Sequence, residues 1–128
     1  MNWGKKRIIL VDDNMVNLRM GKILLEKDYS VITAPSAQKL FHLLEYKSNI
    51  PDLILLDIDM PGMNGFETIK QLKSNPETEN IPVIYLSAHS EIHEVHKGFS
   101  LGAIDYIRKP YEPQLLLDRI EKVLFHLA

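Results

Sequence analysis

Four short apolar stretches end in residues equipped for chemistry. Asp12 and Asp13 close KKRIILVDD, Asp57 closes LILLD, Ser87 closes VIYLS, and Lys109 follows DYIR. Clustered carboxylates repel one another unless a cation neutralises them, and Mg²⁺ favours one or two carboxylates supplemented by waters and phosphate oxygens. A carboxylate is also a nucleophile that can hold a phosphoryl group, while a lysine and a hydroxyl stabilise charge on its equatorial oxygens. Any one of these residues alone reads more plainly as a turn former or a helix cap. Their conjunction at four strand ends is what points to phosphoryl chemistry at an acidic, metal-assisted pocket.

The elements that would hold these residues can be read from the hydrophobic pattern. Leu53 to Leu56 is an apolar run too short for a typical helix and is followed by Pro, Gly and Asn, so it reads as a fully buried strand running into a loop. Ile8 to Val11, Tyr29 to Thr33, Val83 to Leu86 and Ala103 to Ile107 read as four further strands. Between them the period changes to helical. Val16, Met20, Ile23 and Leu24 repeat at i, i+4, i+7 and i+8, which predicts the inward face of a helix over 14–28. Leu40, Leu43 and Leu44 follow an opening at Pro35 and Ser36, and Phe66, Ile69 and Leu72 mark a helix over 64–73. A more polar helix is expected over 90–101 with Gly102 as its stop signal, and Leu116, Ile120, Val123, Leu124 and Leu127 stripe a last helix over 112–127. Five alternating strands and helices predict an α/β protein, a parallel sheet covered on both faces by right-handed crossovers. In such sheets ligands bind beyond the carboxyl ends of the strands, where all four chemical stretches end.

Composition narrows the class. With 128 residues, 45% hydrophobic and 25% charged, the chain fits one globular domain over 1–128 with its core at about 6–127. The net charge of −2, from 15 basic and 17 acidic residues, gives no electrostatic footprint for direct nucleic-acid binding or an anionic membrane. Cysteine is absent, which excludes disulfides and thiolate metal sites. The start MNWGKKR lacks the apolar stretch of a signal peptide, and no run has the length of a membrane span, so a cytoplasmic location is expected.

The segments ILVDDN at 9–14, DLILLDIDMPGMNGFE at 52–67, PVIYLSA at 82–88 and GAIDYIRKPYEP at 102–113 together resemble the receiver domain of two-component response regulators. The resemblance covers essentially the whole chain. It implies a five-stranded (βα)5 flavodoxin-like, doubly wound sheet in the order 2-1-3-4-5. It makes Asp57 the phosphoacceptor, with Asp13, Asp57 and the backbone carbonyl of Asp59 binding Mg²⁺ (or Mn²⁺) and Asp12 acting through water. Ser87 would hydrogen-bond the phosphoryl group and Lys109 would pair with it. Tyr106 matches the switch aromatic that packs inward once Ser87 is recruited, and the Lys109–Pro110 peptide is expected to be cis. The implied donor is a histidine kinase or histidine phosphotransfer protein. The implied output is a changed face of the fourth helix, fifth strand and fifth helix, read by a downstream protein effector or output domain. A phosphorylation-dependent homodimer is compatible with that output. Such a chain catalyses its own modification and autodephosphorylation and is otherwise no enzyme. With no effector following Ala128, it is expected to work alone or as the receiver of a longer protein, and its last segment has the style of receivers joined to cyclic-dinucleotide enzymes.

Two residues beside the pocket, Asp59 and His89, are not dictated by this mechanism. In the resembling family these positions vary and influence phosphoryl lifetime. The hypothesis is that they face each other across the pocket mouth and that His89 ionisation tunes dephosphorylation; two uncoupled, solvated side chains are the plainer reading. His89, His93 and His96 have helical spacing, yet an exposed polar face accounts for them better than a metal site. Met60 and Met63 read as turn packing, and Trp3 has no assigned role. Three rival functions are weaker. A haloacid-dehalogenase-type phosphatase would share Asp57-Ile58-Asp59 but expects Thr or Val where Pro61 stands and acidic metal ligands late in the chain. A nucleotide-binding module would need GxGxxG or a P-loop, which is missing. A receiver-like domain that never turns over phosphate is disfavoured by intact Asp13, Asp57, Ser87 and Lys109.

Overall fold

Strands Arg7–Val11 (β1), Ser30–Ala34 (β2), Leu53–Asp57 (β3), Val83–Ser87 (β4) and Asp105–Arg108 (β5) form one parallel sheet in the order β2-β1-β3-β4-β5. They alternate with helices Met15–Leu25 (α1), Ala37–Leu44 (α2), Gly65–Ser74 (α3), Ile92–Ser100 (α4) and Pro113–Phe125 (α5). The structure is a computed structural model that describes residues 4–59, 64–89 and 91–125. It is the doubly wound, flavodoxin-like α/β fold, in the strand order that the resemblance implied.

The interior strands are apolar throughout because helices cover both faces. Ile8, Leu10, Leu53 and Leu55 point to one side and pack with Leu18, Leu25, Leu116 and Ile120 of α1 and α5. Ile9, Val11, Ile54 and Leu56 point to the other and meet Leu40, Ile69 and Leu72 of α2 and α3. Each such side chain contributes about 1.5–3 kcal/mol by leaving water. All five residues of β3 and of β4 are buried, whereas the edge strands β2 and β5 are half covered.

Caps fix where the helices start. Asn14 accepts from Asn17 N–H, Ser36 from Lys39 N–H, and Asn64 from both Phe66 and Glu67 N–H, satisfying amides that the first helical turn leaves free. Gly102 ends the α4 segment with a φ of 115°, a conformation that disfavours residues with a Cβ. Strand and helix limits differ from the expected ones by up to three residues, the largest gap being the end of α1, expected at 28 and found at Leu25. Lys47–Asn49 adds a 3₁₀ turn that the sequence pattern did not signal. Trp3, Met60, Met63, Ser90 and Leu127 lie outside the described residues, so the readings made for them have no structural counterpart.

One expectation is overturned. Val16, Met20 and Ile23, taken as the inward face of α1, are exposed at 64%, 64% and 56%, and Met15 beside them at 67%. The buried face is Leu18, Gly21 and Leu25, with Leu24 packed at its margin. Two apolar stripes compete on this helix. The face with Gly21 wins because β1 approaches so closely that a Cβ there would lie 2.6 Å from Leu10 Cδ2.

A similar close approach seats α4. Tyr85 of β4 is fully buried, and its hydroxyl donates to the carbonyl oxygen of Val95. A Cβ on Gly98 would fall 2.3 Å from the Tyr85 ring carbons. Alanine is the better helix former by about 1 kcal/mol, but the anchored ring has little room to yield, so the clash decides the sign. Gly98→Ala is expected to lower the unfolding free energy by about 1–3 kcal/mol in urea titration.

Candidate functional site

Sheet register brings the acids together. β1 and β3 pair Leu10 with Leu55 and Val11 with Leu56, so Asp12 and Asp57 stand one step further along adjacent strands. Each continues the row of side chains that faces α1 and α5, where the apolar packing gives out. The two strand exits use the same turn. Asp12 Oδ1 accepts from Asn14 N–H at 2.9 Å, and Asp57 Oδ1 from Asp59 N–H at 2.8 Å. These local bonds hold both carboxyl groups at the strand ends.

Asp57 is 3% exposed, and its principal partner is Lys109, whose Nζ donates to Oδ1 at 3.0 Å and to Oδ2 at 2.9 Å. Burial disfavours the Lys109 ammonium, but bonding and attraction from Asp57, with help from Asp59, raise its pKa above the ordinary lysine value. Lys109 is positioned by β5: Ser87 pairs with Arg108, Lys109 N–H donates to Ser87 O at 2.9 Å, and a cis Lys109–Pro110 peptide follows. Asp12 is buried too, and among the described residues no cation pairs with it. Burial raises its carboxyl pKa, and neighbouring Asp57 adds to the rise against the lowering effect of the Asn14 amide.

The second half of the site gathers on Asp59. Ser87 Oγ donates to Asp59 Oδ1 at 3.0 Å, Ala88 N–H to Oδ2 at 2.7 Å, and Lys109 Nζ lies 3.3 Å from Oδ2. Burial opposes ionisation of Asp59, but the Ala88 amide, the Ser87 hydroxyl and the Lys109 charge outweigh it and hold the pKa below the usual carboxylate value. His89 Nε2 stands 3.7 Å from Asp59 Oδ1, and His89 N–H donates to Ser87 Oγ at 3.0 Å. Tyr106 turns inward beside Tyr85, with ring centroids 5.1 Å apart, and its hydroxyl donates to His89 O at 3.0 Å.

The pocket residues singled out in the sequence thus meet at one end of the sheet, with Asp13 exposed there, while His93 and His96 are exposed on α4. Among the described residues no three His, Cys, Asp or Glu side chains form a group suited to holding a metal ion. Mg²⁺ requires no such cage, and the buried Asp12 beside Asp57 is a donor set with unbalanced negative charge that suits a small divalent cation. Sequence reasoning missed the Ala88 amide, because a backbone N–H has no residue signature, and the carboxylate role of Asp59 as acceptor for Ser87. It also missed the groove of about 930 Å³ between α1 and α5, which runs from Asp12 and Lys109 past Met20, Leu24 and Tyr111 to Leu116.

A doubly wound parallel sheet with carboxylates, a lysine and a hydroxyl converging at its switch point is the build of a small α/β signalling module. Comparison with known proteins narrows this: the chain belongs to the response regulator receiver domain family, whose description matches residues 8–121. It is 42% identical over 114 residues to a Vibrio cholerae protein named as a probable cyclic di-GMP phosphodiesterase, covering 88% of this chain and 25% of that protein. It is 37% identical over 120 residues to the phosphate regulon transcriptional regulatory protein PhoB of Pseudomonas aeruginosa, covering 93% of this chain and 52% of the relative. The chain therefore spans a quarter to about half of the length of these relatives. Among solved structures, chemotaxis response regulator CheY4 of Vibrio cholerae superposes with a TM-score of 0.85 at 26% identity, over 94% of this chain and 99% of CheY4. Receiver domains are regulatory parts of two-component systems, and no described helix here is long and apolar enough to cross a membrane.

The raised Asp12 pKa fixes the sign of a stability effect. A carboxyl group harder to ionise in the folded chain costs stability at neutral pH, and the cost disappears as pH falls below its unfolded value of about 4. Asp12→Asn is expected to stabilise the metal-free chain by about 0.5–2 kcal/mol at pH 7, a gain that shrinks toward pH 3, as read by denaturant titration across pH.

Proposed function

We propose that this chain, a single receiver domain over 1–128, is a phosphorylation switch whose acceptor is Asp57. The observation that carries the reading is the Lys109 ammonium bonded to both oxygens of a buried Asp57, with the Ser87 hydroxyl and the Ala88 amide held at the same strand ends on Asp59. An Asp57 oxygen attacks the phosphorus of a donor's phosphohistidine, the P–N bond breaks, and the imidazole leaves with a proton from solvent. Lys109 and Ser87 then have phosphoryl oxygens within reach and stabilise their charge. Mg²⁺, held by Asp13, Asp57 and the Asp59 carbonyl with Asp12 acting through water, would supply further neutralisation of that charge when bound. Water later attacks the phosphorus, breaks its bond to Asp57 and returns the carboxylate with inorganic phosphate. The reaction is self-modification, with no metabolite as substrate.

The donor is a histidine kinase or phosphotransfer protein, and the setting is the cytoplasm. In-line transfer brings the donor's surface onto whatever rings the Asp57 mouth, which includes the groove bordered by Met20 and Leu24. The exposed apolar stripe Met15, Val16, Met20 and Ile23 supports a donor helix seated there. The output face is α4, β5 and α5. One relative is named a phosphodiesterase and another a transcriptional regulatory protein, so receivers of this kind serve different outputs. The effector of this chain is accordingly a protein or a further domain.

Two experiments test the reading. Incubation with Mg²⁺ and a small acyl phosphate is expected to add one phosphoryl group to the wild type and none to Asp57→Asn by intact mass; equal labelling of both would move the acceptor elsewhere. Met20→Glu is expected to slow transfer from the partner kinase about tenfold while leaving labelling by the acyl phosphate unchanged. Equal slowing by both donors would place Met20 outside the docking surface.

A further inference from the structure

Two donors at the pocket, the Ser87 hydroxyl and the Ala88 amide, are aimed at one anion, and the Lys109 ammonium, bonded to Asp57, lies within reach of it as well. That anion is the Asp59 side chain, which takes the first two at 3.0 and 2.7 Å and lies 3.3 Å from Lys109 Nζ. A phosphoryl group carried by Asp57 would need the same donors, because β3 and β4 are neighbours and Lys109 already bonds to Asp57. The two anions cannot share them, since a carboxylate and a phosphoryl dianion within a few ångströms repel strongly.

The occupied donors reach the rest of the switch. The only proton of the Ser87 hydroxyl is committed to Asp59, and its oxygen accepts from His89 N–H at 3.0 Å. The carbonyl of that same His89 accepts from the Tyr106 hydroxyl at 3.0 Å, with Ser87 O a more distant 3.4 Å away. Tyr106 is thereby tied, through His89 of the loop after β4, to the anion that Ser87 holds. It packs on Tyr85, its direct partner in the β4–β5 register.

Building on the phosphoacceptor reading, we infer that the Asp59 carboxylate is a resident occupant of the phosphoryl subsite, which holds Ser87, the following loop and Tyr106 in their anion-bound arrangement before any phosphoryl group arrives. Asp59 is then a positioning residue with two effects. An incoming phosphoryl group must displace its carboxylate, so the site fills more slowly than its donors would otherwise allow. Tyr106 is already inward, so filling the site changes it little.

The test uses the full chain with 3-fluorotyrosine incorporated, the Tyr106 resonance assigned by its loss in Tyr106→Phe, and beryllium fluoride with Mg²⁺ as the phosphoryl mimic. In the wild type the Tyr106 resonance without the mimic is expected to lie close to its position with the mimic. In Asp59→Ala it is expected to move away when the mimic is absent and to return when the mimic binds. Asp59→Asn, which keeps the shape and removes the charge, is expected to behave similarly in weaker form. Asp59→Ala is expected to bind the mimic about tenfold more tightly than the wild type, the gain from a subsite freed of a competitor present in about nine chains of ten, and Asp59→Asn by a smaller factor. A Tyr106 resonance that is the same without the mimic in the wild type and in both variants overturns the inference even if affinity rises, since loss of a nearby negative charge alone would raise affinity. In that case the phosphoacceptor reading stands. If the mimic binds none of the proteins, that reading fails and the inference falls with it.

Discussion

The pair of Lys109 with Asp57 is the constraint around which the structure is arranged. An aspartate at the end of a fully buried strand is costly unless a cation meets it, and here one ammonium lies within 3.0 Å of both oxygens. For that ammonium to be present, β5 must reach the same end of the sheet as β3, two strands away, and its chain must leave the sheet next to Ser87. The strand order, the parallel direction and the loop after β5 all serve this meeting. The apolar rows beneath Asp12 and Asp57 provide the rigidity against which the charges are set.

Function and stability pull in opposite directions at this pocket. Asp12 is buried beside Asp57 with no cation of its own among the described residues, and burial hinders its ionisation. Nothing in the packing needs an acid there. An acid placed there at a stability cost fits the proposed site for a divalent cation and a phosphoryl group. Asp59 differs from it. Three donors repay its partial burial, so it is a carboxylate at ease in the folded chain.

Much of this architecture was legible in the amino-acid order, for reasons that can be named. Leu53 to Leu56 and Val83 to Leu86 announce interior strands because a sheet covered on both faces has no polar side to alternate with. Strand order was not legible from pattern, since nothing in a strand's composition says which neighbour it takes, and it entered through the family resemblance. α1 misled because periodicity identifies an apolar face without saying what covers it. Met20 and Ile23 repeat as regularly as Leu18 and Leu25, and only the close approach of β1 at Gly21 decides between them. The side-chain types of the pocket were visible at their strand ends. The Ala88 amide and the direction of the Asp59 carboxylate belong to loop geometry, which leaves no trace in residue types.

The position of β5 at the edge of the sheet has a mechanical consequence. It is the shortest strand, four residues long, and it is stitched to β4 alone, while its other border is free of the sheet. Tyr106 therefore sits on a strand that the sheet holds along one seam, as it holds β2 at the opposite edge, whereas Asp57 stands on an interior strand held on both sides. Ser87 itself stands on β4, which is paired along both of its borders, so the sheet holds the hydroxyl more firmly than it holds the ring.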